Sequence, residues 1–199
     1  MSYDHVTAFP FEGSTLVPWT WWEGGFSKEE CDKLIELGQS KGLEFGKIGS
    51  HEVPINEIRK SNVSWILPSD SVETYQKLTA VVKNLNPKFY GFDLYGFVES
   101  LQFTEYKEPD DHYTWHVDTS FSGSITRKLT VVLQLSDPDD YEGGDLEIST
   151  GRFEDSCSQA KREQGTVIVF PTFMMHRVTP VTKGTRYSLV GWVTGPQFK

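Results

Sequence analysis

The second half of the chain, from about residue 94, consists of short apolar runs separated by clusters of Gly, Pro, Asp and Ser. The runs read L-Y-G-F-V-E-S-L-Q-F-T-E-Y, K-L-T-V-V-L-Q-L, D-L-E-I-S, T-V-I-V-F and T-R-Y-S-L-V-G-W-V. In the second run, apolar side chains at every other position share one face of a strand: Leu129, Val131, Leu133 and Leu135. A succession of short strands with turn residues between them predicts an antiparallel sandwich or barrel.

The first of two predicted helices lies in F-S-K-E-E-C-D-K-L-I-E-L-G-Q-S-K-G. Ser27 and Glu30 have the spacing of a capping box at its start, and Gly42 is a stop signal at its end. Four residues share one face of this helix: Cys31, Leu34, Ile35 and Gly38. The pattern predicts an amphipathic helix.

The second helix is predicted from D-S-V-E-T-Y-Q-K-L-T-A-V-V-K-N-L-N-P. Asp70 is the candidate cap, and Asn86 followed by Pro87 is expected to end the helix. Its apolar stripe contains Val72, Tyr75, Leu78, Val82 and Leu85. Both helices lie in the N-terminal half, and we expect them to pack on the outside of one sheet.

No linker, internal repeat or low-complexity segment interrupts the chain. We therefore expect one domain over residues 1–199, with a helical N-terminal support over 1–92 and a β core over 93–199. The chain has 19 Lys and Arg against 28 Asp and Glu, and its formal charge is -9. This charge disfavours a large phosphate-binding surface, so no nucleic-acid partner is expected.

The N-terminus carries no apolar run of the length that a signal peptide needs, and no later segment approaches about 18 consecutive apolar residues. We therefore expect a cytoplasmic protein without membrane contact. Cys31 and Cys157 are the two cysteines of the chain. They do not suggest a disulfide framework, and inert thiols in a reducing compartment are the expectation.

The acidic loop 137–147 falls in the run S-D-P-D-D-Y-E-G-G-D-L-E. Its proline and its pair of glycines predict a solvated surface loop that leads into a strand. Three tryptophans near the N-terminus, Trp19, Trp21 and Trp22, are interpreted as packing residues rather than recognition residues.

The stretch Y-T-W-H-V-D-T-S places His116 and Asp118 two residues apart, and on a strand they point the same way. His176, in F-P-T-F-M-M-H-R-V-T-P-V, is a third candidate ligand from a later strand. Two imidazoles and one carboxylate leave open positions on a metal, as in non-haem ferrous sites, whereas a structural zinc ion needs four protein ligands. His112 would share the face of His116 on a strand, but we interpret it as a loop residue.

The segment T-P-V-T-K-G-T-R-Y-S-L supplies a candidate anion site. After a predicted turn over residues 182–184, Arg186 and Ser188 share one face of a strand. A guanidinium binds a carboxylate through two parallel hydrogen bonds, and an adjacent hydroxyl donates a third. An anion held there could chelate a metal with its other end.

These residues, in this order on strand-like segments, resemble the iron(II)- and 2-oxoglutarate-dependent dioxygenases, specifically the prolyl 4-hydroxylase-like branch. The passages L-T-V-V-L-Q-L-S-D-P-D-D-Y-E-G-G-D-L-E-I and H-R-V-T-P-V are similar to the bacterial PKHD-type hydroxylases of that branch. The resemblance covers roughly residues 97–194. It implies a double-stranded β-helix, or jelly-roll, core with the helices packed on one sheet.

The resemblance also implies roles for single residues. Three side chains would ligate iron: His116, Asp118 and His176. Arg186 would pair with the C5 carboxylate of 2-oxoglutarate, and Ser188 would support it. Tyr106 would help to hold the cosubstrate, while Tyr113 and Trp192 are candidate substrate contacts. The family commonly has a glycine between the two tyrosines, and this chain reads K-E-P-D-D-H there, so the resemblance does not predict the loop that borders the substrate mouth.

The activity that the resemblance implies is hydroxylation of an unactivated C–H bond with Fe(II), 2-oxoglutarate and O2, releasing succinate and CO2. L-ascorbate is the implied reductant, and a prolyl residue of a peptide or protein is the implied target. A non-oxygenase jelly-roll module with a structural metal is one alternative. A nucleic-acid-modifying dioxygenase is another, although such enzymes usually carry a second arginine where this chain has Trp192. The sequence does not predict an oligomeric state.

Overall fold

A computed structural model describes residues 16–46, 55–119, 126–151 and 156–198 of the protein. The helices are α1 (Lys28–Ser40), α2 (Ile55–Ile58), α3 (Val72–Phe89) and a short 3-10 helix (Pro138–Asp140). The strands are β1 (Thr20–Trp22), β2 (Glu44–Phe45), β3 (Arg59–Lys60), β4 (Asn62–Ile66), β5 (Gly96–Phe97), β6 (Leu101–Lys107), β7 (His112–His116), β8 (Thr126–Gln134), β9 (Tyr141–Gly143), β10 (Leu146–Ser149), β11 (Cys157–Gln159), β12 (Val167–Pro171), β13 (His176–Val178) and β14 (Val181–Gly195).

Two antiparallel sheets form the core, as the alternating sequence pattern predicts. The larger sheet runs β1-β12-β8-β14-β6-β4-β2, and the smaller one runs β11-β10-β13-β7-β3. The large sheet includes strands β1, β2 and β4 from the N-terminal part, where the sequence had indicated helices only. These strands have two to five residues, which is too short for an alternating pattern to stand out.

The large sheet buries one face against the helices. Leu129, Val131, Leu133 and Leu135 of the β8 segment lie together in the main core, as predicted, with side chains from α1 and α3. Both helices contact strands of this sheet, α1 at β4 and β6 and α3 at β1 and β12. Because side chains alternate along a strand, the residues between these apolar positions face the smaller sheet. The space between the two sheets is where the polar side chains converge.

Helix α1 has the predicted limits and the predicted face. The Ser27 side chain accepts from the Glu30 backbone, and the Glu30 side chain accepts from the Ser27 N–H, so the capping box is present. The helix ends before Gly42, whose φ is +78°. Cys31 is fully buried, and its burial raises the thiol pKa to about 12, which makes it unreactive.

The predicted limits of α3 are wrong at both ends. Ser71, not Asp70, is the N-cap, because the Asp70 carboxylate instead accepts from the Leu67 N–H at 2.8 Å. At the other end the helix continues through Pro87 to Phe89. A proline inside a helix removes one backbone hydrogen bond, but the turn that contains Pro87 is retained up to Phe89.

The predicted turn over residues 182–184 is also wrong, since this segment is part of β14. Residues 181–184 pair with β9, and the strand then continues between β6 and β8. Gly184 has a φ of +74°, and a side chain there would overlap the Asp140 carbonyl. The turn signal therefore marks a bend within one long strand, where the chain changes its pairing partner.

The acidic loop 137–147 is more than a solvated surface, contrary to the prediction. It folds around Arg162, which pairs with Asp145 and donates to the carbonyls of Gly143 and Tyr141. Tyr141 is buried and lies under the Arg162 guanidinium. Asp145 of this segment is thus held by Arg162 just before the chain enters β10.

The three tryptophans near the N-terminus differ in their surroundings. Trp19 packs against the second apolar cluster, as predicted, and its ring centroid lies 5.2 Å from that of Trp21. Trp21 and Trp22 on β1 remain 41% and 38% exposed, so the packing interpretation does not hold for them. Over the described ranges, no helix is both long and apolar enough to cross a membrane.

Helix α1 approaches the large sheet most closely at Gly38, and a Cβ at that position would overlap the ring of buried Phe103. We expect Gly38→Ala to lower the free energy of unfolding by about 1–3 kcal/mol through overpacking. The same substitution in an exposed helix stabilises it by about 1 kcal/mol. Urea denaturation measures the change, with Glu36→Ala on the exposed face as the control. A more stable Gly38→Ala variant would contradict this packing.

Candidate active site

The three candidate metal ligands lie close together, beside the space between the two sheets. His116 ends β7 and His176 begins β13, and these two residues are direct partners in the antiparallel pairing. Asp118 follows two residues after His116, and its N–H donates to the Thr172 carbonyl at 2.9 Å. The Asp118 carboxylate lies 3.8 Å from Nε2 of His116 and 3.5 Å from Nε2 of His176. One ligand atom from each of the three residues lies within 4.8 Å of the others, as around a single ion.

Backbone carbonyls orient both imidazoles. Nδ1 of His116 is 2.8 Å from the Thr114 carbonyl, and Nδ1 of His176 is 2.9 Å from the Met174 carbonyl. A carbonyl only accepts, so each Nδ1 carries the proton and each Nε2 keeps its lone pair for a metal. Burial, and next the neighbouring His176, lower the pKa of His116 to about 3, which keeps this imidazole neutral.

The Asp118 carboxylate is held from the large sheet. The Thr130 hydroxyl of β8 donates to its Oδ2 at 2.8 Å. Burial alone would raise the pKa of this carboxyl, but the adjacent His176 and His116, and then the Trp192 indole and the Thr130 hydroxyl, outweigh it and lower the pKa. Asp118 is therefore ionised, as a metal ligand must be.

An aromatic ring covers one of the proposed ligands. The Tyr113 ring stacks on the His116 ring with centroids 3.5 Å apart and planes 13° from parallel.

His112 is the first residue of β7, so its interpretation as a loop residue is wrong. Its ring nitrogens face the carbonyls of Asp110 and Glu57, and it does not belong to the metal-ligand group found among the described residues.

Arg186 projects from β14 into the same cavity and is fully buried. Its Nη2 donates to Oε1 of Gln134 at 2.9 Å, whereas its Nε and Nη1 have no hydrogen-bond partner. Tyr106 pairs with Arg186 across strands β6 and β14, and its ring lies 5.5 Å from the guanidinium carbon. Ser188, two residues along β14, lines the cavity on the same face. The free edge of Arg186 is the geometry that a carboxylate fits.

The cavity has a volume of about 360 Å³, and all eight predicted site residues line it. Among the described residues, four buried side-chain polar atoms lack a hydrogen-bond partner: Nη2 of Arg59, Nε and Nη1 of Arg186, and Nε1 of Trp192. All four are donors, and all three residues line this cavity. Buried donors are normally satisfied, so this concentration indicates a place for a ligand rich in acceptors.

The residues present fit both groups that the resemblance implies. The neutral imidazoles and the ionised carboxylate are the ligand set of a non-haem ferrous site with open positions. The unpaired edge of Arg186 fits the far carboxylate of a dicarboxylate such as 2-oxoglutarate.

Several residues in or directly behind the cavity wall had not been predicted from the sequence. Thr130 and Gln134 hold Asp118 and Arg186, and the signal for them was present, since they are polar residues at the alternate positions of an apolar strand. Arg127 makes two hydrogen bonds to Glu99 and lies 3.8 Å above the Trp192 ring. Arg59 comes from the two-residue strand β3, which left no pattern in the sequence.

Removing the hydroxyl that holds Asp118 is expected to weaken metal binding. Thr130→Val keeps the side-chain volume, and loss of a hydrogen bond to a ligand typically costs about 10- to 100-fold in metal affinity. Calorimetric titration with Mn²⁺ measures the change, and Thr20→Val, a buried threonine on β1, is the matched control. Unchanged affinity in Thr130→Val would show that this hydrogen bond does not contribute to metal binding.

Comparison with known proteins places this site in a family. Residues 101–194 match the family model of the 2OG-Fe(II) oxygenase superfamily. A PKHD-type hydroxylase of Synechococcus sp. (strain CC9605) is 40% identical over 108 residues, which cover 54% of this chain and 47% of that protein. A PKHD-type hydroxylase of Prochlorococcus marinus (strain MIT 9515) is 27% identical over 162 residues, covering 81% of this chain and 72% of that protein. The match thus spans about half the length of the first of these relatives.

Solved structures with the same fold include prolyl hydroxylases. A viral collagen prolyl hydroxylase from Paramecium bursaria Chlorella virus-1, solved with 2OG, has a TM-score of 0.70, 25% identity, and coverage of 90% of this chain and 97% of that chain. A prolyl hydroxylase from Trichoplax adhaerens, with a hypoxia inducible factor peptide fragment, has a TM-score of 0.71, 17% identity, and coverage of 88% and 83%. The jelly-roll core with helices on one sheet is confirmed. Residues 101–194, which carry the two histidines, the aspartate and the buried arginine, match the 2OG-Fe(II) oxygenase superfamily model, and the chain is similar to PKHD-type hydroxylases and shares the fold of prolyl hydroxylases.

Proposed function

We propose that the protein is an Fe(II)- and 2-oxoglutarate-dependent dioxygenase that hydroxylates an unactivated C–H bond of a prolyl residue in a peptide or protein. Succinate and CO2 are the other products, and L-ascorbate serves as the reductant. The observation that carries the proposal is the buried, half-unpaired guanidinium of Arg186 in the cavity of the histidines and the aspartate. A structural metal site needs no such cation, which favours the oxygenase over a non-oxygenase metal module.

The residues of the chain hold and orient the reactants. His116, Asp118 and His176 are the proposed iron ligands, and when bound, Fe(II) with 2-oxoglutarate supplies the oxidative chemistry through O2. The Nδ1–H groups of the two histidines donate to backbone carbonyls, so both Nε2 atoms remain directed at one point.

The cosubstrate is proposed to lie between the two sheets. Arg186 takes its C5 carboxylate, with Ser188 and Tyr106 beside it. Gln134 fixes the orientation of the guanidinium through Nη2, which leaves the other edge for the ligand. Such an arrangement holds the reacting groups in one geometry before the reaction begins.

The substrate is proposed to approach over Tyr113 and Trp192. Tyr113 lies directly on the His116 ring, and Trp192 is buried with its Nε1 unpaired. Both rings line the cavity beside the proposed iron ligands. No nucleic-acid substrate is proposed, because the position of a second arginine is filled by Trp192.

Residues 1–199 are proposed to form one domain, and the two unpaired cysteines support a cytoplasmic location.

The first test is anaerobic addition of Fe(II) and then 2-oxoglutarate to the metal-free protein, followed by the weak visible absorption of an iron-chelated 2-oxo acid. Arg186→Ala should need roughly 100-fold more 2-oxoglutarate, because two hydrogen bonds to a charged group are lost. Lys183→Ala, which removes an exposed charge from the same strand, is the control and should behave like the native chain. Metal binding without this absorption would favour the non-oxygenase module.

A second test addresses the prolyl target. Succinate formation with a proline-containing peptide should exceed that with the same peptide carrying alanine at the target. The proline peptide should also gain the mass of one oxygen atom, and that gain should match the succinate formed. Equal succinate from both peptides, with no gain in mass, would refute the prolyl assignment.

A further inference from the structure

Arg59 is a second buried cation in the active-site cavity. It lies on β3, at the edge of the smaller sheet next to β7, and is 5% exposed. Its guanidinium lines the cavity, and its Nη2 has no hydrogen-bond partner. None of the ion pairs formed among the described residues includes Arg59, whereas Arg127 in the same cavity pairs with Glu99. A buried, ionised side chain with an unpaired donor lowers the stability of the folded protein unless a ligand accepts from that donor.

Contacts with Ser61 and Gly46 hold the guanidinium of Arg59 in place. Its Nε donates to the Ser61 hydroxyl at 2.8 Å. A Cβ at Gly46 would lie 2.7 Å from the same Nε, so the glycine allows the arginine to seat there. These contacts fix one edge of the group and leave Nη2 free in the cavity, as in a preformed binding site.

Arg59 and Arg186 occupy separate positions. Arg59 lies 4.8 Å from the Tyr113 ring, and the Tyr113 ring also stacks on the His116 ring at 3.5 Å. Arg186 lies against the ring of Tyr106 instead. Tyr113 therefore stands between Arg59 and a proposed iron ligand, on the side where the substrate is proposed to approach.

We propose that Arg59 binds a carboxylate of the primary substrate and thereby selects for it. The hydroxylation of such a substrate rests on the proposed function, whereas its binding rests on the unpaired donor of Arg59. The carboxylate comes either from an acidic residue next to the target proline or from the α-carboxylate of a proline at a C-terminus. The net charge of -9 repels anions at a distance. Selection for a carboxylate therefore has to take place inside the cavity.

The test is anaerobic calorimetry on the Fe(II) and 2-oxoglutarate complex with two pairs of probes. The first pair is acetyl-Ala-Pro-Glu-Ala-amide and the same peptide with Gln in place of Glu. The second pair is N-acetylproline and its amide. We expect the carboxylate member of one pair to bind about 10- to 100-fold more tightly than its amide partner, and the pair that shows this identifies the source of the carboxylate.

Three variants locate the effect. Arg59→Met should abolish the preference for the carboxylate, and Arg59→Lys should retain part of it. Gly46→Ala should reduce it while the charge remains, because the added methyl displaces the guanidinium. Lys60→Met, which removes the adjacent surface charge paired with Asp110, is the control and should keep the native preference.

Two results would overturn the proposal. One is equal affinity for both members of each pair, or no binding of either carboxylate, in a native protein that forms the 2-oxoglutarate complex normally. The other is a lower Tm in Arg59→Met together with equal weakening of both members, which would make Arg59 only a support for Tyr113. Failure of the proposed function differs from both, since the visible absorption of the 2-oxoglutarate complex would then be absent from the native protein.

Discussion

The antiparallel pairing of β7 with β13 is the constraint on which the site depends. It sets His116 opposite His176, and directly paired residues have Cβ atoms about 5 Å apart, so backbone hydrogen bonds alone bring both imidazoles to one point. Thr114 of β7 and Met174, two residues before β13, supply the carbonyls that fix the imidazole tautomers. Asp118 needs only two further residues of extended chain to join them. The geometry of the candidate metal site is therefore a property of the small sheet, and the large sheet adds the hydrogen bond from Thr130.

The second organising feature is the group of unpaired donors between the sheets. Each unpaired buried donor costs about 1–3 kcal/mol of stability, which is a considerable part of the stability of a small protein. Ligands that supply acceptors to Arg59, Arg186 and Trp192 remove that cost, so the folded state is expected to gain stability when they bind. The unpaired donors therefore lower the stability of the free protein, and the same donors stabilise the complex once a ligand accepts from them.

The sequence predicted those parts of the structure that have a repeating pattern or a strong local signal. The faces of β8 and the capping box of α1 are examples, because alternation and cap chemistry are local properties. The cap of α3 was misassigned, since Asp70 and Ser71 are both capable caps and a contact with Leu67 decides between them. The bend at Gly184 looked like a turn because a left-handed glycine serves in both. Arg59 could not be predicted, since its burial depends on Gly46 and Tyr113, which are distant in the chain.

The two faces of β8 have a consequence for how the chain can vary. One face carries core leucines and valines, and the other carries Thr130 and Gln134, which hold the site. Substitutions on the two faces thus act on separate properties, packing on one side and ligand geometry on the other. Inserting or deleting one residue within the strand exchanges the faces beyond that point, placing polar groups in the core and apolar groups in the cavity. This strand therefore tolerates replacement of its residues far better than any change in its length.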